Sequence, residues 1–387
     1  MPSPLVARMQ PFGTSVFAEM TQRALQFDAV NLGQGFPDTD GPQEMLDVAA
    51  RSLREGHNQY SPARGLPVLR AAVAEHQERF YGIPVDPDTE VLVTVGATEA
   101  IAAALLALVE PGDEVLLVEP YYDSYAACVG LAGGVRRSVQ LSFPGLELDV
   151  DTLRAAVTHR TRVLLLNTPH NPTGKVFTRE ELQAVADLAT EHDLLVIADE
   201  VYEHLVFDGL RHVPIATLPG MAERTLTISS VGKTFSLTGW KTGWVTGPAR
   251  LVDAVAAVKQ FLTFVGVTHV QPAVAHGLRL PDSFFTGFAA ELQAKRDLLV
   301  QALTEVDVPV SPCQGTYFVI ADLASHGVED AVDFCRRMPE ELGVVGVPVS
   351  VFCDDPAPVA SLVRFAFCKQ EEVLREAARR LHRLSGG

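Results

Sequence analysis

Basic residues are in short supply in this chain. Its 387 residues hold 31 lysines and arginines against 48 aspartates and glutamates, a formal net charge of −17. That balance argues against a nucleic-acid partner, because phosphate backbones are bound by a basic footprint. It leaves a small anionic substrate open, since one local cluster of donors outvotes the overall field, and the acidity reads as a solubility feature. Cysteine is sparse too. Cys128, Cys313, Cys335, Cys353 and Cys368 are scattered, odd in number and without a C-x-x-C pair. This points away from a disulfide framework or zinc motif and toward structural thiols in a reducing cytoplasm. Met1–Met20 lacks a basic stretch followed by an apolar core, so no secretion signal is expected there. Long apolar runs are also missing. The longest of helical character, Ala100–Val109, is closed by Glu99 and Glu110 and falls well short of the roughly 20 residues a membrane span needs. There is no internal repeat and no low-complexity tract.

What remains, 47% hydrophobic and 20% charged residues, describes a soluble globular protein too long for one ordinary core, with two domains as the natural division. Apolar β-branched runs alternate with amphipathic stretches through the middle. Val91–Val95, Val115–Val118, Val163–Leu166, Leu194–Ala198 and Leu226–Ile228 read as buried strands, and Ala97–Val109, Arg179–Glu191 and Leu251–Phe264 as helices. Strands apolar throughout and separated by helices predict an α/β domain with a mostly parallel sheet covered on both faces. The last third changes character, with helix Leu292–Leu303, strands Gly315–Ile320 and Val363–Cys368, and a closing helix Glu371–Leu384. This predicts a smaller α+β unit, joined by the Pro/Gly-rich start (Pro11-Phe12-Gly13 and Asn31 to Pro37). The expected division is a large domain over 46–275 and a discontinuous small domain over 1–45 and 276–387.

Ligands of such sheets sit beyond the carboxyl ends of the strands, and the notable polar residues fall there. After Thr225–Ile228 comes Ser229-Ser230-Val231-Gly232-Lys233-Thr234, extending to Gly239-Trp240-Lys241. A lysine among hydroxyls and glycines, partly desolvated yet reachable, is the setting an amine nucleophile needs; a solvated loop lysine is the plain alternative. A nucleotide-binding loop is excluded, because its first glycine would fall at Thr227. Asp199 ends an apolar strand, so its carboxylate needs a cap, an ion pair or a protonated ring nitrogen beside it, and Tyr202 follows three residues later. In Asn167 to Gly174 two prolines and a glycine restrict the backbone that presents Asn171. His170 has no ligand partner at metal spacing, and no metal site is expected. Gly96-Ala97-Thr98 opens a helix and offers free N–H groups to a phosphate. Tyr122 follows another strand and is either an aromatic plate or core packing. Arg364, set between Val363 and Phe365, needs an anion, either a structural carboxylate or that of a substrate.

Together these segments, with Asn31-Leu32-Gly33-Gln34-Gly35-Phe36-Pro37 and Asn58-Gln59-Tyr60, resemble a fold-type I aminotransferase of class I/II dependent on pyridoxal 5′-phosphate (PLP). The resemblance runs from about Phe17 to Leu384 and is strongest to the kynurenine/glutamine aminotransferase branch and to N-succinyldiaminopimelate aminotransferases. It implies an aspartate aminotransferase-like fold and a role for each residue. Lys233 would hold PLP through its amine and later carry the proton. Asp199 would keep the ring nitrogen protonated, Asn171 and Tyr202 would meet the phenolic oxygen, and Tyr122 would stack on the ring. Ala97, Thr98, Ser230 and Lys241 would hold the phosphate, with Tyr60 reaching it from a second subunit of a homodimer. Arg364, Asn171 and Gly35 would take the substrate carboxylate. Two departures stand out: Lys241 replaces the arginine of many class I enzymes, as it does in the kynurenine/glutamine branch, and Val265 follows Phe264 where kynurenine enzymes often have histidine.

The expected activity is a cytoplasmic ping-pong transamination from an L-amino acid to a 2-oxo acid such as 2-oxoglutarate. Phe12, Phe36, Tyr60, Tyr122 and Phe264 as pocket walls favour methionine, glutamine or an aromatic side chain. N-succinyldiaminopimelate is the other option, with Arg64 a candidate for its distal anion. A cysteine-S-conjugate β-lyase on the same scaffold is the enzymatic alternative. A PLP-sensing regulator is the non-enzymatic one, and it would need a DNA-binding domain ahead of the first twenty or so residues.

Overall fold

The computed structural model describes residues 5–12 and 16–386; residues 1–4, 13–15 and Gly387, grouped above with the small domain, lie outside them. Its largest element is a seven-stranded sheet: β1 (Val91–Thr94), β2 (Glu114–Glu119), β3 (Val135–Gln140), β4 (Thr161–Asn167), β5 (Leu195–Asp199), β6 (Thr225–Ser230) and β7 (Gly243–Thr246). The spatial order is β1-β7-β6-β5-β4-β2-β3, and β7 alone runs antiparallel to both neighbours. Successive strand residues point to opposite faces. Val115, Leu117, Val163, Leu165 and Ile197 therefore pack under helices Gly96–Leu108 and Ala249–Leu262. Leu116, Val118, Leu164, Leu166 and Val196 pack under helix Arg179–Glu191. Covered on both faces, these strands must be apolar throughout.

Helix boundaries follow local chemistry. The Thr178 hydroxyl accepts from the Glu181 amide while the Glu181 carboxylate accepts from the Thr178 amide, a capping box that starts Arg179–Glu191 where the sequence places it. Two strands of this sheet lie outside the sequence reading. In β3 charged Arg136 and Arg137 alternate along an edge strand, so no apolar run marks it. β7 is only four residues long and follows a glycine-rich turn.

The C-terminal part carries a three-stranded antiparallel sheet of β8 (Phe318–Asp322), β9 (Val347–Pro348) and β10 (Leu362–Ala366), in the order β9-β10-β8. Strand β8 begins three residues later than expected, because Thr316 sits at φ 63° and breaks the extension. A parallel pairing of Val30–Asn31 with Val344–Val345 ties the N-terminal stretch to this part. Helix Asp282–Thr304 contains the predicted Leu292–Leu303, and the last α-helix is Glu371–Leu381. Among the described residues no helix is long and apolar enough to cross a membrane.

Candidate active site

At the carboxyl edge of the large sheet, strand ends and the segments after them surround a cavity of about 320 Å³. Gly35, Ala97, Thr98, Tyr122, Asn171, Asp199, Tyr202, Ser230, Lys233, Lys241 and Arg364 all line it, together with Phe17, Gln34, Phe36, Tyr125 and Phe318. Tyr60 and Phe264 do not. They pack edge-to-face with ring centroids 5.3 Å apart, both exposed on the surface beside Phe261 and Leu262. Phe12 lines a neighbouring groove with Phe352 instead. Arg64 is also elsewhere, ion-paired to Asp253 and donating to the Thr89 carbonyl. It is thus not free to bind a distal anion.

Lys233 lies on the single turn Val231–Thr234 that follows β6. It is partly buried, and desolvation lowers its amine to about 8. Its Nζ donates to the Tyr317 hydroxyl at 2.7 Å. Asp199, the last residue of β5, is 4% exposed. Burial raises its carboxyl to about 6, against the opposing pull of a 2.5 Å hydrogen bond donated by the Tyr125 hydroxyl and of the Lys233 charge. Among the described residues Asp199 has no cation in ion-pair contact. A protonated nitrogen in the cavity would supply that cation.

Asn167, at the end of β4, donates to the Asp199 carbonyl at 2.8 Å and accepts from the Asn171 amide at 2.7 Å. The Asn167–Gly174 turn is thereby locked, and the Asn171 Oδ1 accepts from Arg364 Nη1 at 3.0 Å. His170 is buried against Thr173, with its Nδ1 2.7 Å from the hydroxyl, and serves the turn rather than the cavity.

Arg364 is 1% exposed, with Nη2 donating to the Gly33 carbonyl at 3.0 Å and its Nε without a partner. Its guanidinium stacks 4.1 Å from the Phe318 ring centroid and 5.0 Å from that of Phe352. Desolvation lowers it to about 10. The structural reading of this residue required a carboxylate, and among the described residues none pairs with it. A buried cation left with spare donors at a cavity wall is a site for an incoming anion.

One side of the cavity is formed where β7 passes the start of helix Gly96–Leu108. Gly96 has φ 72°, and a Cβ there would come 3.3 Å from Lys241 Nζ. A Cβ on Gly243 would lie 2.9 Å from the Ala97 nitrogen. Without side chains at both positions, β7 and the Lys241 ammonium come close to the helix N-terminus, and Ser230 lines the same cavity, a donor set that suits an anion.

Two contacts were not legible in the sequence. Tyr125 and Tyr317 reach Asp199 and Lys233 from 74 and 84 residues away, and nothing in their neighbourhoods sets them apart from core tyrosines.

A desolvated lysine and a buried carboxylate without a cation, facing one cleft at the carboxyl edge of an α/β sheet, suit the class of PLP enzymes built on that fold. The family model for aminotransferase class I and II matches residues 28–381, and the chain belongs to that family. It is an aminotransferase that uses PLP, the family's cofactor. A "Probable N-succinyldiaminopimelate aminotransferase DapC" of Mycobacterium tuberculosis is 52% identical over 386 residues, covering 97% of each chain. The solved structure of N-succinyldiaminopimelate aminotransferase from that organism superposes with a TM-score of 0.96 at 52% identity, covering 98% of this chain and all of the other. A methionine aminotransferase of Escherichia coli is 40% identical over 384 residues, with 99% of each chain covered.

Proposed function

We propose that this aminotransferase moves the amine of an L-amino acid with a long side chain to a 2-oxo acid such as 2-oxoglutarate, by a ping-pong mechanism. N-succinyldiaminopimelate is the first candidate donor, methionine the second, and glutamine and aromatic amino acids follow. The observation that carries this reading is Arg364, a buried guanidinium that lines the same cavity as Lys233 and pairs with no carboxylate among the described residues. Donor and acceptor share an α-carboxylate, and one guanidinium beside Asn171 and Gly35 serves both half-reactions. The 52%-identical relative supports the first donor and the Escherichia coli enzyme the second. Phe17, Phe36 and Phe318 line the cavity and suit a side chain with apolar length.

When bound, PLP supplies an electron sink that lets a Cα–H bond break. Lys233 would hold the cofactor through its amine, which burial lowers to about 8, so that near pH 8 about half of it is neutral and nucleophilic. Freed by substrate, the same amine would take up the proton released from the substrate Cα. Asp199 would keep the ring nitrogen protonated, with Tyr125 orienting Asp199. Asn171 and Tyr202 would serve the phenolic oxygen and Tyr122 the ring face. The helix start at Ala97 and Thr98, with Ser230 and Lys241, would hold the phosphate.

The exposed patch of Tyr60, Phe261, Leu262 and Phe264 supports a homodimer in which Tyr60, and Phe264 beside it, complete the partner's site. Residues 46–275 form the cofactor-holding domain, with 1–45 and 276–387 as the smaller one. Five free cysteines support a reducing cytoplasm.

The test is a panel of amino donors with 2-oxoglutarate, including N-succinyldiaminopimelate, methionine, glutamine and phenylalanine, read as glutamate formed. Pyruvate and ammonia are assayed beside it with a cysteine S-conjugate. Glutamate from N-succinyldiaminopimelate at the highest kcat/KM is expected. If only short acidic donors reacted, the substrate reading would be wrong; pyruvate and ammonia in excess of glutamate would make the enzyme a lyase.

A further inference from the structure

We propose that Tyr317 is a positioning residue for Lys233, holding the lysine amine whenever it is free and aiming its lone pair into the cavity. The inference rests on the role given to Lys233 above. Lys233 follows β6 of the large sheet, whereas Tyr317 immediately precedes β8 of the small one. Their 2.7 Å contact spans the cleft between the two.

The Tyr317 hydroxyl has one proton and two lone pairs. Its proton goes to the Gly35 carbonyl at 2.8 Å, so the oxygen meets Lys233 only as an acceptor. An acceptor takes an N–H from either the ammonium or the neutral amine. In the neutral amine this leaves the nitrogen lone pair pointing away from Tyr317, and Lys233 lines the cavity. A donor in the same place would cap that lone pair and quench the nucleophile.

The tyrosine is held in place to do this. Its carbonyl accepts from the Phe367 amide at 2.9 Å, and its ring is packed edge-on against Tyr202 with centroids 5.3 Å apart. Side-chain packing alone would be satisfied by phenylalanine. The hydroxyl adds contacts to Lys233, to the strap that carries Gly35 and to the Tyr202 side chain. The same strap presents the Gly33 carbonyl to Arg364. The lysine tether and the carboxylate grip are therefore fastened to one short segment.

Tyr317→Phe keeps the ring and removes the acceptor. In the cofactor-free protein, competitive acetylation with acetic anhydride, followed by mass spectrometry of the Lys233 peptide over a pH series, reads the amine directly. Loss of an acceptor disfavours the ammonium. The labelling midpoint should therefore move down by about half to one pH unit, the size of one such hydrogen bond. In the loaded enzyme kcat should fall roughly tenfold through lost orientation, while KM for the amino acid stays within about threefold. Replacing Tyr317 with a ring-fluorinated tyrosine, a weaker acceptor of nearly the same shape, should shift the midpoint the same way by less. A Tyr317→Phe protein with unchanged melting temperature, midpoint and kcat would overturn the proposal. Borohydride treatment of the wild-type holoenzyme separates the two levels. If it fixes no cofactor on Lys233, the role of the lysine is wrong; if it does and Tyr317→Phe changes nothing, only the role of Tyr317 fails.

Discussion

Asp199 and Glu203 lie four residues apart, both buried, and burial raises both carboxyls, to about 6 and about 7. Their surroundings differ. Asp199 faces the cavity, and its carboxylate accepts from the Tyr125 hydroxyl and the Val201 amide. Glu203 points into closed packing. It accepts from the Ser229 hydroxyl at 2.6 Å and lies near His76 and His204, whose Nε2 atoms are 2.7 Å apart and whose rings are packed by Phe80 and Phe285. His76, Glu203 and His204 bring potential ligand atoms within 4.8 Å of one another, a composition that resembles a metal site. Here, though, the two imidazoles already bond each other and the carboxylate already has a hydroxyl donor. A perturbed carboxyl thus marks a functional site only where spare hydrogen-bonding capacity meets open space.

The comparison can be broken from the cavity side first. Lys233→Ala should lose transamination by about 10³-fold or more, through loss of both the amine anchor and the proton carrier. Borohydride should then fix no cofactor to the chain. A Lys233→Ala protein that still formed glutamate would end the assignment. Arg364→Ala comes next. It removes a charge-assisted anchor and should lower kcat/KM by roughly 100-fold, on the order of 3 kcal/mol, mainly through KM for both amino and oxo acid. Unchanged KM values would place the substrate carboxylate elsewhere.

The smallest effect sharpens the contrast most. A carboxyl raised by the fold costs stability progressively as pH climbs from its unfolded value, 3.8 for Asp199 and 4.5 for Glu203, to its folded one. Asp199→Asn and Glu203→Gln should each relieve that cost, by about 1–3 kcal/mol at pH 8 and by nothing near pH 3.5. Melting of the cofactor-free proteins against pH measures it. Activity should separate them, with Asp199→Asn losing most of it and Glu203→Gln keeping it within about fivefold. Equal loss of activity in both variants would make the closed cluster part of the catalytic machinery.

Much of this molecule was readable from its residues. Apolar runs such as Val163–Leu166 announce strands covered on both faces, and the polar residues just beyond them fall on one edge because parallel strands all end there. β3 escaped because an edge strand bearing Arg136 and Arg137 has no apolar period, and Thr316 cut short a strand whose composition promised more. In the site, Lys233, Asp199 and Arg364 stood out because an ionisable group at the end of, or inside, an apolar strand is costly unless partnered. Tyr125 and Tyr317 did not, since a tyrosine within an apolar neighbourhood costs little and is common. Arg64 misled for the opposite reason: an arginine in sequence carries no sign that Asp253 will claim it.

By itself the sequence determined which groups would have to be buried and reactive, because strand periodicity and turn chemistry act over a few residues. Only the tertiary structure decided which of them face each other. Arg364 meets Asn171 across 193 residues of chain, and Tyr317 meets Gly35 across 282. Such contacts depend on how the two sheets pack, a long-range outcome that local spacing does not encode.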